Sequence, residues 1–140
     1  MGSFFADVLS FDHEVAVLEP DPRKLRFTYN TQRMTDPAEV EAFAPELVIN
    51  AATLKYTIPA FESVLPYLPA TCILSDIASV KTGLEEFYKK RTRPYVSTHP
   101  MFGPTFASLS DLSTQSAIII SESSHLGKVF FRDLYHHLKL

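Results

Sequence analysis

The chain has 140 residues, 46% of them hydrophobic and 21% charged, with a formal net charge of −3. That length and balance describe one soluble globular domain with enough apolar material for a real core. They exclude the usual signatures of a nucleic-acid binder, since no basic stripe with interleaved aromatics is present, and no apolar run has membrane-spanning length or the pattern of a secretory signal.

Taken in chain order, Ser3–Leu9 reads as a helix, and Glu14–Glu19 and Leu25–Tyr29 as strands. Asp36–Phe43 reads as a helix, with Asp36 as its cap and Pro37 at the first helical position. Leu47–Ala51 follows as a strand, and Thr57–Leu68 as a helix capped by Thr57, with Pro59 in its first turn. Thr71–Ser75 is a strand holding the single cysteine, Cys72. A lone cysteine makes no internal disulfide, which suits a reducing cytoplasm and a buried core thiol. No Cys and His spacing for a metal is present. Thr82–Arg91 reads as a helix, Tyr95–Thr98 and Ala117–Ser121 as strands, and Ser124–Leu138 as a helix with Phe130, Phe131, Leu134 and Leu138 on its apolar face. The strands are short Val, Ile, Leu and Ala runs with little alternation, as in a sheet covered on both faces. The expected fold is α/β, a Rossmann-like, doubly wound, mostly parallel sheet.

Two places in this scheme carry chemistry. After the strand ending at Thr98 come His99-Pro100-Met101-Phe102-Gly103-Pro104. Two prolines and a glycine are expected to stop strand or helix there and to hold the His99 ring in a rigid loop. Ligands of open α/β sheets bind at such strand ends. The second place is the N-terminus. Met1-Gly2 opens directly into a helix, and the next strand closes on Glu19. In a dinucleotide-binding unit, a first strand runs through G-x-G-x-x-G into a helix, then a second strand ending in an acid. Gly2 fits the last of those glycines. Glu19 fits the acid, which accepts hydrogen bonds from the adenosine ribose hydroxyls and disfavours a 2′-phosphate, with Arg23 near enough to soften that preference. The first strand and its first two glycines are then expected upstream of Met1. Without that central strand, its two neighbours are expected to keep unpaired edges with an apolar slot between them.

Asp76-Ile77-Ala78-Ser79-Val80-Lys81 after a strand, and His99-Pro100-Met101-Phe102-Gly103-Pro104 after the next, resemble the D-x-x-S-V-K and H-P-M-F-G-P motifs of the prephenate dehydrogenase family. Gly2, Glu19 and Asn50-Ala51-Ala52 also fit that family's nucleotide-binding half, so the resemblance covers essentially the whole chain. It implies NAD as cofactor, with Met1, Gly2, Glu19, Ala51 and Ala52 around it. It implies oxidative decarboxylation of prephenate to 4-hydroxyphenylpyruvate in tyrosine biosynthesis. His99 matches the catalytic histidine, accepting a hydrogen bond from the C4 hydroxyl; this needs a neutral imidazole near pH 7, which histidine as a residue type supplies. Ser79 matches the serine that orients the histidine and touches substrate. Lys81 either holds the following helix region or contacts a substrate carboxylate. The resemblance further implies a cytoplasmic enzyme whose C-terminal helical domain, expected but absent from this chain, makes the homodimer and brings an arginine for the substrate carboxylates. The isolated chain is accordingly expected to bind NAD poorly and to turn over nothing.

Blander readings stand beside these. A histidine before proline is ordinarily a loop residue, Ser79 also suits a helix cap, and Glu19 also suits a solvated turn. His13 reads as a surface turn residue, and His136 and His137 as favourable neighbours of a helix C-terminus. Phe4, Phe5, Phe61, Phe87, Phe130 and Phe131 read as core. Arogenate as the substrate, a non-catalytic nucleotide-binding or regulatory domain, and another dehydrogenase of the wider superfamily remain the alternatives.

Overall fold

The computed structural model describes residues 1–27, 30–103 and 112–140. In chain order the elements are α1 (Gly2–Leu9), β1 (Ala16–Leu18), β2 (Gln32–Met34), α2 (Glu39–Phe43), β3 (Leu47–Asn50), α3 (Thr57–Val64), β4 (Ile73–Asp76), α4 (Leu84–Lys89), β5 (Tyr95–Pro100), β6 (Ala117–Ile119) and α5 (His125–His137). The strands form two sheets. β1 and β2 pair in parallel, with Val17 opposite Arg33. β3, β4 and β5 pair in parallel, and β6 closes the second sheet antiparallel to β5. Among the described residues, β1 and β3 each pair on one edge only.

Helices cover both faces of the larger sheet. Side chains alternate across a strand, so Leu47 and Ile49 join the cluster under α1 and α5, around Phe5, Val96, Phe131 and Tyr135. Val48 and Leu74 turn to the opposite cluster, around Phe61, Phe87 and Tyr88 of α3 and α4. The β1–β2 pair adds Ala16, Leu18 and Met34 to that second cluster. Phe5, Phe61, Phe87 and Phe131 are buried, and Phe4 and Phe130 pack partly buried beside them. Cys72 is a fully buried free thiol. On α5 the sheet-facing residues are Gly127, Phe131, Leu134 and Tyr135, with Leu138 only half-buried. Gly127 lies so near the sheet that a Cβ there would sit 2.6 Å from the Val96 Cβ.

Several expected boundaries are corrected. Leu25–Tyr29 is not a strand through its described part. Lys24–Phe27 is a 3-10 turn, begun by amides of Lys24 and Leu25 donating to the carbonyls of Asp21 and Pro22; Thr28 and Tyr29 lie outside the described residues. The strand is instead Gln32–Met34, whose polar residues gave no periodic signal and of which only Met34 is buried. The helix at Thr57 ends at Val64 and tightens into a 3-10 turn over Leu65–Tyr67, because Pro66 has no amide to continue the α-helical ladder. Thr57 lies inside that helix with Tyr56 as the cap residue. α4 starts only after Gly83, whose φ of +80° interrupts the helical backbone.

The expectation that prolines stop the strand at Thr98 fails. β5 runs through His99 to Pro100. The amide of Ile120 donates to the Ser97 carbonyl and that of Met101 to the Ser116 carbonyl, so alternate residues serve β6. By the same alternation Pro100 turns its nitrogen away from β6, past the last β4 partner, Asp76, where the ladder asks for no donor.

Candidate active site at the strand ends

β3, β4 and β5 run in parallel, so their C-terminal ends bring Asn50, Asp76 and His99 to one edge of the sheet. Asn50 is buried and shapes the first loop. Its Nδ2 donates to the Thr57 carbonyl at 2.7 Å, and its Oδ1 accepts the Ala52 amide at 3.1 Å. Ala51 is left exposed and Ala52 half-buried. Gly2, the first residue of α1, comes against this loop: a Cβ on it would lie 3.2 Å from the Ala51 Cβ. Gly2, Ala51 and Ala52 therefore gather at one place.

The second loop is organised by Asp76, which is fully buried. Its Oδ1 accepts the Ala78 amide at 3.1 Å and the Lys81 ammonium at 2.5 Å, and its Oδ2 accepts the Tyr88 hydroxyl at 2.7 Å. Lys81 also donates to the main-chain carbonyl of Thr98 at 2.5 Å. The Thr98 hydroxyl is 3.3 Å from the Asp76 carbonyl and 2.7 Å from the Tyr135 hydroxyl. Burial, and then the Asp76 charge, push the Tyr88 phenol well above its ordinary range. Burial also lifts Tyr135 to about 12 against a smaller opposing effect of the Thr98 hydrogen bond. Both phenols are thus held neutral, and the Tyr88 hydroxyl donates to Asp76.

His99 follows Thr98 directly. It is half-buried and lines a cavity of about 330 Å³ with Pro100, Met101, Phe102 and Gly103. Phe102 is buried and meets Phe4 of α1 edge to face, with centroids 5.7 Å apart. This seats the histidine loop against the same helix that approaches Ala51. Pro104 lies outside the described residues. A second cavity, of about 460 Å³, opens between the loops after β3 and β4, with Leu54, Ile58, Val80 and Leu84 in its wall.

Ser79 is exposed in the loop after β4, on the strand next to that of His99; no hydrogen bond joins the two among the described residues. Lys81 sits deeper and ties two strand ends together. Glu19 ends β1 on the other sheet, where its amide pairs with the Met34 carbonyl and its Oε1 accepts the Asp21 amide at 3.0 Å. His13, His125, His136 and His137 are exposed. Sequence reasoning passed over Asn50, Asp76, Thr98 and Tyr135 as site-forming residues. Asp76 opens a motif already singled out, and a carboxylate at the end of an apolar strand is the signal that marks it. Thr98 and Tyr135 are 37 positions apart, and nothing in their local patterns announces the pair.

The family model of the prephenate dehydrogenase nucleotide-binding domain matches residues 8–139. A probable arogenate/prephenate dehydrogenase of Methanocaldococcus jannaschii is 32% identical over 98 residues, 67% of this chain and 21% of that protein. Prephenate dehydrogenase from A. aeolicus, solved in complex with hydroxyphenyl propionate and NAD+, has the same fold with a TM-score of 0.75 at 20% identity, over 99% of this chain and 54% of that one. Synechocystis arogenate dehydrogenase is likewise similar, with a TM-score of 0.76 at 15% identity, over 99% of this chain and 53% of that one. The chain spans about a fifth of the length of the curated relative and about half that of each structure. With Asn50, Asp76 and His99 at the ends of three parallel strands, and a family match over residues 8–139, the chain belongs to the prephenate dehydrogenase nucleotide-binding domain family.

Proposed function

We propose that this chain is the nucleotide-binding half of an NAD-dependent dehydrogenase that converts prephenate to 4-hydroxyphenylpyruvate by oxidative decarboxylation. The observation that carries the reading is His99, half-buried at the end of β5, lining a cavity and tethered through Thr98 to Lys81 and Asp76. Its role is to accept the C4 hydroxyl proton of the substrate as hydride leaves C4, and to return it to that oxygen once carbon dioxide has gone and the ring is aromatic. No net proton is consumed. Ser79, exposed on the neighbouring loop, would orient the imidazole and touch substrate, and Lys81, beyond its bonds to Asp76 and Thr98, would contact a substrate carboxylate. A base positioned in this way contributes roughly a hundred- to ten-thousand-fold in rate.

The residues at the N-terminus of α1 fit a dinucleotide. The first amides of a helix have no partner within it and suit a pyrophosphate, and small residues, Gly2 and Ala51, meet at that end of α1. Glu19 would take the ribose hydroxyls. NAD, when bound, supplies the hydride acceptor. A helical domain outside this chain would complete the substrate site and the homodimer, and the enzyme would work in the cytoplasm. A second reading, the same chemistry on arogenate, is supported by the M. jannaschii relative, which is named for both substrates.

The test is His99→Asn in the full-length polypeptide. Turnover of prephenate is expected to fall by roughly a hundred- to ten-thousand-fold, while NAD still binds. Turnover at the parent rate sinks the assignment.

A further inference from the structure

The geometry points to Asp21 as a specificity-determining residue that disfavours a 2′-phosphorylated dinucleotide by occupying Arg23. The inference rests on the dinucleotide reading of the Glu19 strand end given above.

The turn Glu19-Pro20-Asp21-Pro22-Arg23 places two carboxylates and one guanidinium within five residues. Glu19 Oε1 accepts the Asp21 amide at 3.0 Å. Its other oxygen takes no hydrogen bond among the described residues, which leaves it for a ribose hydroxyl. Asp21 turns the opposite way. Its Oδ1 accepts both the Arg23 amide, at 3.1 Å, and Nε, at 3.0 Å, and its Oδ2 accepts Nη2 at 2.9 Å. One edge of the guanidinium, Nε and Nη2, is thus taken by a carboxylate in a bidentate geometry that could otherwise receive a phosphate.

The charge consequence is direct. Arginine beside the ribose is the usual means of accommodating a 2′-phosphate. Here the arginine is present, and 84% of its side chain is exposed, but its charge is paired and one of its bidentate edges is occupied within the turn. A 2′-phosphate arriving beside Glu19 meets that carboxylate with no uncommitted cation from Arg23. Pro20 and Pro22 restrict the backbone on either side of Asp21, and the Arg23 amide holds the Asp21 carboxylate within the turn. An exposed ion pair is weak in itself. Neutralising Asp21 therefore releases Arg23 at little cost to the rest of the chain.

The experiment measures NADH and NADPH binding by nucleotide fluorescence, for the full-length polypeptide, Asp21→Asn, and Asp21→Asn with Arg23→Ala. Asn keeps an oxygen for the Arg23 amide and so preserves the turn. The parent should prefer NADH. In Asp21→Asn the ratio of NADPH Kd to NADH Kd should fall about tenfold, the worth of one charge-assisted phosphate contact. Removing Arg23 as well should restore the parent ratio. NADH binding with a ratio unmoved by Asp21→Asn, or a gain that persists without Arg23, overturns the inference and leaves the dinucleotide reading standing. A parent that binds neither nucleotide overturns both.

Discussion

Lys81 and Asp76 form an ion pair at 2.5 Å, in which the carboxylate is fully buried and the ammonium side chain is 27% exposed. The same ammonium reaches the Thr98 carbonyl. One side chain therefore links the ends of β4 and β5 immediately before His99, and a carboxylate inside the sheet edge depends on it for compensation. Removing one member of a buried pair costs more than the pair contributes, because the survivor keeps its desolvation cost. Lys81→Met should destabilise the fold by about 3 kcal/mol, read as a lowered urea midpoint. Combining it with Asp76→Asn should recover at least about 1 kcal/mol as coupling between contacting groups. Additive losses would show that the pair is not coupled as the geometry indicates.

α5 meets β5 with no room for a side chain at Gly127. A Cβ there would fall 2.6 Å from the Val96 Cβ and 2.8 Å from its Cγ1, atoms close to a backbone that cannot swing away. Gly127→Ala ordinarily favours a helix, so a gain is expected if helix propensity decides. Overpacking decides here: the variant should lose about 1–3 kcal/mol, seen as a lower thermal midpoint. Adding Val96→Ala removes Cγ1, the atom at 2.8 Å, but keeps Cβ at 2.6 Å, so it should return only part of that loss.

At the other contact of this kind the clash is milder. A Cβ on Gly2 would lie 3.2 Å from the Ala51 Cβ, a distance that a small movement of α1 relieves. Gly2→Val should leave the folding transition within about 1 kcal/mol, as for a surface-level change, yet weaken NAD binding in the full-length polypeptide by moving the helix N-terminus. Unchanged affinity would separate this contact from the cofactor site.

Alkaline stability follows from three buried acids. Burial raises the Cys72 thiol from 9.0 to about 11 and Tyr135 from 10.0 to about 12, and Tyr88 moves the same way. Between the ordinary and the raised value the unfolded chain has lost a proton that the native chain still holds. Stability is then intact below pH 9 and falls as pH rises, at about 1.4 kcal/mol per unit for each group in its window. The first window, pH 9 to about 11, belongs to Cys72. Cys72→Ala should delay the onset of the decline toward pH 10, measured by urea midpoints across that range. A parallel decline in parent and variant would remove Cys72 as its source.

Much of this molecule was legible along the chain. Apolar runs located β3 and the starts of β4 and β5, because strands covered on both faces are rich in apolar residues, even though Ser75, Asp76, Ser97 and Thr98 are buried there too. The Asp36 start was legible only in part: Asp36 Oδ1 accepts the Ala38 amide while Glu39 Oε1 accepts the Asp36 amide, but these bonds close a turn, and the helix begins at Glu39 with Ala38, not Asp36, as its cap residue. The motifs placed Ser79, Lys81 and His99 at strand ends, and the order of elements alone implied a doubly wound sheet. Other features depended on partners distant in sequence. Gln32–Met34 became a strand because β1 offered a ladder and the core offered Met34 a place; its own residues show no such preference. β5 passed through Pro100 because pairing to β6 needs no amide at that position. Asp76 remained buried because Lys81, Tyr88 and the Ala78 amide converge on it, and Thr98 met Tyr135 from the far side of the sheet. By itself the sequence determined most of the residues that had to be inside and placed the two motifs near the strand ends, since hydrophobic period and backbone sterics are local. Only the tertiary structure decided which buried polar groups answer one another, because a hydrogen bond or an ion pair is satisfied by proximity in space and leaves no period in the chain.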